Sequence, residues 1–224
     1  MIDLRRENEV FVLRMDAGEN RFHPDFVREW KAALDEVERA DAPKALVTTG
    51  AGKFYSNGLD LDWMLGPGRG HANEYLHGVL AVIGRVLIFP AITVAAVNGH
   101  AFGAGAQLAV AHDYKVMRSG RGYFCMPEID MKVPLHPGMT AILQARLSKR
   151  TVHEVIATGR RYTAEDALAA QIVDHALPEE QVLPRAIEIA ASLAGKAHPA
   201  MRALKHGLYR GVLEAMEAKL GEGR

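Results

Sequence analysis

The chain holds a single cysteine, Cys125, among 224 residues. One thiol forms no internal disulfide and no cysteine-based metal cluster, so a reducing compartment is expected and the thiol is read as a packed side chain. Neither sign of charge is in excess, with 27 lysines and arginines against 27 aspartates and glutamates. A neutral chain gives no electrostatic case for nucleic acid or an anionic membrane as main partner. Long apolar runs are also missing. The most apolar stretch, Val79 to Val97, is broken by Arg85 and Pro90, whereas a membrane helix needs about 20 apolar residues. The ten histidines include no His-x-x-x-His pair with a carboxylate, so no metal is expected. There is no low-complexity tract or internal repeat. The start, Met1 to Arg5, lacks the features of a signal peptide, and the end, Gly221-Glu222-Gly223-Arg224, is not a Ser-Lys-Leu signal. The expected location is the cytoplasm.

What remains is an ordinary globular composition, 49% hydrophobic and 24% charged. The length suits one domain. Val10 to Met15 reads as a strand after the polar turn Glu7-Asn8-Glu9. Pro24 opens a helix with Phe26, Trp30, Leu34 and Val37 on one stripe. Ala45 to Thr49 is a buried strand ended by Gly50-Ala51-Gly52, and Gly66 to Gly70 reads as a mobile loop. Glu74 to Phe89 has helical spacing and stops before Pro90. Ile92 to Val97 and Tyr114 to Met117 read as strands, and so do the shorter Tyr123 to Cys125 and Ile172-Val173. A helix is expected to start in the cluster Gly103-Ala104-Gly105 and to run through Leu108 to about Ala111. Helical patterns dominate from Gly138 onward, with a capping-box spacing at Thr163-Ala164-Glu165-Asp166. Strand–helix alternation followed by helices predicts one α/β domain over 1–224. Its core would cover about residues 1–180, and a helical C-terminal region the rest.

Two glycine-containing turns each follow a buried strand: Lys53-Phe54-Tyr55-Ser56-Asn57-Gly58-Leu59-Asp60-Leu61 and Asn98-Gly99-His100-Ala101-Phe102-Gly103-Ala104-Gly105. Glycine permits unusual torsions and close approach of a ligand, and a helix start leaves N–H groups free. Two such turns could aim two donors at one oxygen, which is an oxyanion hole. By spacing alone they read as simple turns, and Glu128 taken by itself reads as a solvated loop charge.

Together these segments resemble the crotonase (enoyl-CoA hydratase/isomerase) superfamily. Ser56-Asn57-Gly58-Leu59-Asp60-Leu61 matches its Ser/Ala-x-Gly-x-Asp-Leu turn, and Asn98 to Gly105 followed by His112-Asp113 matches its Asn-Gly-x-Ala-x-Gly-x-Gly turn and helix. Met126-Pro127-Glu128 is similar to its Pro-Glu segment. Gly159 to Ala167 resembles its Gly-x-x-x-Ser/Thr-Ala-x-x-Ala helix start, with Ile172-Val173-Asp174 following. The resemblance implies an α/β crotonase-like fold of repeated β-β-α units with a helical C-terminal region. It further implies that the N–H groups of Leu59 and Ala104 bind a thioester oxygen and that Glu128 is the acid/base. The segment with Lys53, Ser56, Asn57, Gly58 and Asp60, together with Gly103 and Gln107, would bind an acyl-CoA substrate. Coenzyme A then comes with the substrate and no separate cofactor is implied.

Hydratases of this superfamily carry a second glutamate where this chain has Gln107. An amide bonds a water but cannot take its proton. Lys53 to Gly58 and His112-Asp113-Tyr114 look like the plant-type Δ3,Δ2-enoyl-CoA isomerases of unsaturated fatty acid breakdown. Another crotonase reaction, such as hydration, decarboxylation or thioester hydrolysis, and a non-catalytic acyl-CoA binder are the alternatives. His100 and His112 read as packed residues, Asp130 as a second candidate for a polar role, and Lys53 and Arg69 as cations that could meet coenzyme A phosphates. The resemblance also implies a homotrimer or hexamer. Apolar stripes at Ile187, Ala190, Ala191 and Ala194, and at Leu204, Leu208, Val212 and Met216, are the expected contact surfaces.

Overall fold

The computed structural model describes residues 1–219. A turn at Asn8, which takes a left-handed φ of 56°, joins β1 (Ile2–Glu7) to β2 (Val10–Met15) as an antiparallel pair. β1 had no clear alternation in the sequence, because as an edge strand it buries none of its side chains fully. From β2 the sheet continues in parallel through β3 (Ala45–Gly50), β5 (Ile92–Val97), β7 (Tyr114–Arg118) and β9 (His175–Leu177). A second sheet has three short parallel strands in the order β4 (Phe54–Ser56), β6 (His100–Phe102), β8 (Phe124–Cys125). Each parallel strand of the large sheet from β3 to β7 is thus followed by a short strand of the second sheet and then by a helix. That is the repeated β-β-α unit.

Both faces of the large sheet are covered, which is why its strands are nearly continuous apolar runs. Phe11, Leu13, Met15 and Leu46 face a core shared with α1 (Pro24–Arg39), α3 (Ala72–Leu87) and α6 (Pro137–Arg146). Val10, Val12, Val47, Val94 and Val116 face the other way, against Val182, Ala186 and Ala190 of α9 (Glu179–Leu193). The first three residues of the apolar stripe placed on a contact surface, Ile187, Ala190 and Ala191, therefore pack on this sheet, and so does Ala194 just beyond α9. The core accordingly continues past residue 180, with α9 as one of its layers. In the second stripe, Val212 and Met216 of α11 (Arg210–Met216) are buried within the chain, while Leu204 and Leu208 of α10 (Pro199–Leu208) stay 75% and 73% exposed. Met216 fits between α3 and α6 because glycines stand opposite it: a Cβ on Gly138 would lie 2.7 Å from its Cα, and one on Gly84 3.2 Å from its sulfur.

Two local expectations change. Ile172-Val173 is not a strand. Gln171, with φ 58°, turns the chain out of α8 (Ala164–Ala169), the helix after α7 (Lys149–Thr158), and the two apolar side chains plug the core just before β9. Gly66 to Gly70 is a structured connection. It runs from the end of α2 (Leu61–Leu65) into a 3-10 turn at Arg69–His71, with Gly68 pressed against the Trp63 ring and its N–H bonded to Trp63 O at 2.8 Å. Among the described residues no helix is long and apolar enough to cross a membrane. The terminal residues Gly221 to Arg224 lie outside the described residues.

Candidate functional site

Parallel pairing of β4 with β6 sets the two glycine turns side by side. Ser56 is fully buried. Its hydroxyl donates to Asn20 O at 2.7 Å and accepts from the Gly58 N–H at 3.2 Å. Asn57 N–H bonds to Glu19 O at 2.9 Å, and Gly58 O accepts from Phe22 N–H at 2.9 Å. This lattice bends the chain sharply at Gly58, where φ is +82°. A Cβ there would stand 2.7 Å from Phe102 O and 3.1 Å from Ala104 N, so only glycine lets the first turn touch the second. Gly103, at φ +51°, turns the chain from β6 into α4 (Ala104–Ala111), and its own N–H is held by Cys125 O at 3.0 Å. The N–H groups of Leu59 and Ala104 meet no acceptor among the described residues. The next one along, on Asp60, is instead taken by the Tyr75 hydroxyl at 2.8 Å.

Glu128 comes to the same place from β8. Met126 is fully buried, Pro127 turns the chain, and the short helix α5 (Glu128–Met131) begins at the glutamate. Its Oε1 lies 3.5 Å from where a Gly103 Cβ would sit. Its Oε2 is buried and has no partner among the described residues. Burial pushes the carboxyl above its ordinary value of 4.5, because the charged form loses hydration. The solvated-charge alternative therefore does not hold.

Gln107 stands one helical turn past Gly103, with its N–H bonded to Gly103 O at 3.1 Å. Side chains in a helix lean toward its N-terminus, so this amide leans toward the start of α4. The residue is 0% exposed, and neither Oε1 nor Nε2 has a partner among the described residues. Two free N–H donors thus stand where the glycine turns touch, Glu128 Oε1 lies beside Gly103, and the buried, unpartnered Gln107 amide belongs to the first turn of α4.

The other residues singled out in the sequence separate from this group to differing degrees. The Ser56 side chain holds its turn, the Asn57 amide bonds Glu19 at 2.8 Å, and Asp60 caps α2 by accepting from Trp63 N–H at 3.1 Å. A ligand would meet this segment chiefly through its backbone. Lys53 is exposed, 5.4 Å over the Phe54 ring, at the opposite end of β4 from Gly58. Arg69 is exposed on the 3-10 turn, and Asp130 is exposed on α5. His100 stacks among Phe54, Phe102 and Tyr123 at 5.3, 5.0 and 5.6 Å. Burial, with Lys53, Arg121 and Arg161 nearby, keeps its pKa below the usual imidazole value. His112 is buried between Thr48 Oγ1 at 2.9 Å and Leu108 O at 2.8 Å, and desolvation drops its pKa to about 3. Cys125 donates to Gly159 O at 3.3 Å, and burial raises its thiol to about 11, far from a nucleophile's range. Among the described residues no group of three or more His, Cys, Asp or Glu could hold a metal ion. Two supporting residues had no local sequence signal. Asn20 ties the Met15, Phe54 and Tyr55 carbonyls together, and Tyr75 fixes the backbone next to Leu59 from a distant helix.

Residues 5–221 match the family model described as enoyl-CoA hydratase/isomerase. Enoyl-CoA delta isomerase 3 of Arabidopsis thaliana is 32% identical over 204 residues, covering 88% of this chain and 86% of that protein. Carnitinyl-CoA dehydratase of Salmonella paratyphi A is 33% identical over 170 residues, covering 76% of this chain and 64% of that one. The apo structure of a Mycobacterium tuberculosis enoyl-CoA isomerase superposes with a TM-score of 0.88 at 28% identity, over 96% of this chain and 93% of that chain. With the family model spanning nearly the whole sequence and the fold shared from end to end, this chain belongs to the enoyl-CoA hydratase/isomerase family, the crotonase superfamily of enzymes.

Proposed function

We propose that the protein is a Δ3,Δ2-enoyl-CoA isomerase, which converts a 3-enoyl thioester to the conjugated 2-enoyl thioester. The thioester oxygen sits between the Leu59 and Ala104 N–H groups. Glu128 removes a proton from C2, the negative charge passes to that oxygen, and the same carboxyl returns a proton at C4. The α-proton is too weakly acidic for a carboxylate acting alone. Each preorganised donor on the developing oxyanion supplies about 2.7–4 kcal/mol. The raised pKa of Glu128 makes it a stronger base for the first step and leaves it a usable acid for the second.

The observation that carries this reading is Gln107. Hydration needs a placed water and two groups that exchange its protons, and the Gln107 amide exchanges none. One glutamate is enough to move a proton across one face of the acyl chain. Coenzyme A is part of the substrate in this reading, and no separate cofactor takes part. Two further assignments belong to the same proposal. The protein is a homo-oligomer in multiples of three, supported by the exposed Leu204 and Leu208 of α10. It works in the cytoplasm, supported by its lone buried thiol.

The test is direct. Supplied with a 3-enoyl-CoA, the enzyme forms the conjugated product, read by its ultraviolet absorbance, and it hydrates a 2-enoyl-CoA far more slowly. Hydration at a matching rate overturns the isomerase assignment. Failure to exchange deuterium into the α-position of a bound thioester would instead leave only an acyl-CoA binder.

A further inference from the structure

The two proposed donors stand on one closed circuit through the core. From Ala104 the chain runs along α4 to Leu108 and on to His112, the residue that ends the helix. His112 Nδ1 lies 2.8 Å from Leu108 O, and its Nε2 lies 2.9 Å from Thr48 Oγ1 on β3. Thr48 Oγ1 is in turn 2.7 Å from the hydroxyl of Tyr55 on β4, the strand that leads into Leu59. The circuit closes where the glycine turns touch, at Gly58 and at Gly105, whose Cβ would stand 2.7 Å from Ser56 Cβ. Thr48, Tyr55, Leu108 and His112 are all fully buried.

The protons in this chain run only one way. A carbonyl accepts and never donates, so Leu108 O holds the imidazole proton on Nδ1. With its pKa lowered to about 3 by desolvation, His112 is neutral, and its bare Nε2 accepts. The Thr48 hydroxyl spends its one proton on Nε2, and the Tyr55 hydroxyl donates to Thr48. We infer that Thr48 and His112 are positioning residues, which tie the end of α4 to β4 and so set the spacing of the Leu59 and Ala104 N–H groups. The inference rests on the reading of those groups as donors to the thioester oxygen. The glycine contacts press the turns together but do not stop α4 from sliding or turning against β4, and the buried tie does. Arg146 grips the same end of α4 through Val110 O at 3.1 Å and His112 O at 2.6 Å, but it holds that end to α6 and not to β4.

The experiment separates the Thr48 hydroxyl from the Thr48 shape. Thr48→Val keeps the shape and removes the hydroxyl, and Thr48→Ser does the reverse. In the folded Thr48→Val enzyme kcat should fall about tenfold, since small misplacements of reacting groups are costly. KM should change little, because the donors act on charge that develops in the transition state. Thr48→Ser should melt lower than native yet keep kcat within twofold. The second readout needs no turnover. Butanoyl-CoA isotope-labelled at its thioester carbonyl should show a lowered carbonyl stretch when bound to native enzyme, and Thr48→Val should move it back toward the free value. Should Thr48→Val fail to fold, Tyr55→Phe carries the test. It breaks the last link and leaves the Thr48–His112 bond, and it too should lower kcat and weaken the carbonyl shift. Native kcat and native carbonyl shift in the folded hydroxyl-deleted variant overturn the inference, as do equal losses of kcat in Thr48→Val and Thr48→Ser. A carbonyl shift that depends on the Thr48 hydroxyl, in a protein without isomerase turnover, supports the tie and sinks the isomerase reading. No carbonyl shift in the native enzyme overturns the donor assignment itself, and the inference with it.

Discussion

Replacing Gly58 with alanine tests the whole construction of the proposed oxyanion hole. Two costs arise. The first is torsional: a non-glycine residue at a φ of +82° loses roughly 1–2 kcal/mol. The second is steric. The new Cβ would lie 2.7 Å from Phe102 O and 3.1 Å from Ala104 N, inside ordinary contact of 3.4–4 Å, and both neighbours are backbone atoms that cannot swing aside. The turns must separate, carrying the Leu59 and Ala104 N–H groups apart, while a working site holds its geometry to about 0.5 Å. Loss of one donor typically lowers kcat by ~10²–10³. The torsional cost alone should lower the Tm by several degrees, at about 2–4 °C per kcal/mol for a chain of this size. Gly18→Ala separates the two effects. Its φ is +63°, and nothing lies within 4 Å of the new Cβ. It should lose stability of the torsional kind and keep its turnover. The assays are isomerase turnover on a 3-enoyl-CoA and thermal melting by circular dichroism. Turnover of folded Gly58→Ala within twofold of native would refute the argument that this contact sets the donors.

Glu128→Gln should lower turnover at least ~10²-fold with acyl-CoA binding largely kept; near-normal rates would place the base elsewhere, with Asp130 the first residue to examine. The same variant should gain stability at neutral pH. A carboxyl whose folded pKa is raised above 4.5 costs nothing at lower pH, where both states are protonated. It destabilises the fold as pH rises through the folded value, so melts of native and variant should converge near pH 4 and separate near pH 7. The acid limb of native kcat/KM should lie above the ordinary carboxylate range for the same reason, and a limb at 4.5 would contradict a desolvated base. Gln107→Glu should raise hydration of a 2-enoyl-CoA from its low native level; two adjacent carboxyls would share a proton and limit the gain, and no change at all would remove Gln107 as the residue that sets the reaction. Leu204→Glu together with Leu208→Glu should shift the protein to smaller species in light scattering, and a native protein that is already monomeric at micromolar concentration ends the oligomer proposal.

The sequence by itself determined what depends on neighbours along the chain. The parallel strands were legible as apolar runs because both faces of the sheet are buried, and Pro24, Gly103 and Thr163 marked helix starts through torsions and caps that act within a few residues. The two glycine turns and Glu128 were recognisable as motifs. Periodicity did not show which apolar stripe is spent inside the fold. α9 and α10 look alike as amphipathic helices, yet α9 covers β2, β3, β5 and β7, while Leu204 and Leu208 of α10 face outward. Likewise Ile172-Val173 had the composition of a strand but serves as a plug, since partners for a strand are decided by the sheet and not by the segment. The site was hidden for the same reason. Leu59, Ala104, Gln107 and Glu128 come from three segments, and only the parallel register of β4, β6 and β8 sets their turns side by side. Burial then decides the chemistry. A glutamate in a loop is merely charged, but one packed beside Gly103 with a buried, unpaired oxygen is held above its ordinary pKa, because water that would have stabilised its charge has been excluded by residues far away in sequence.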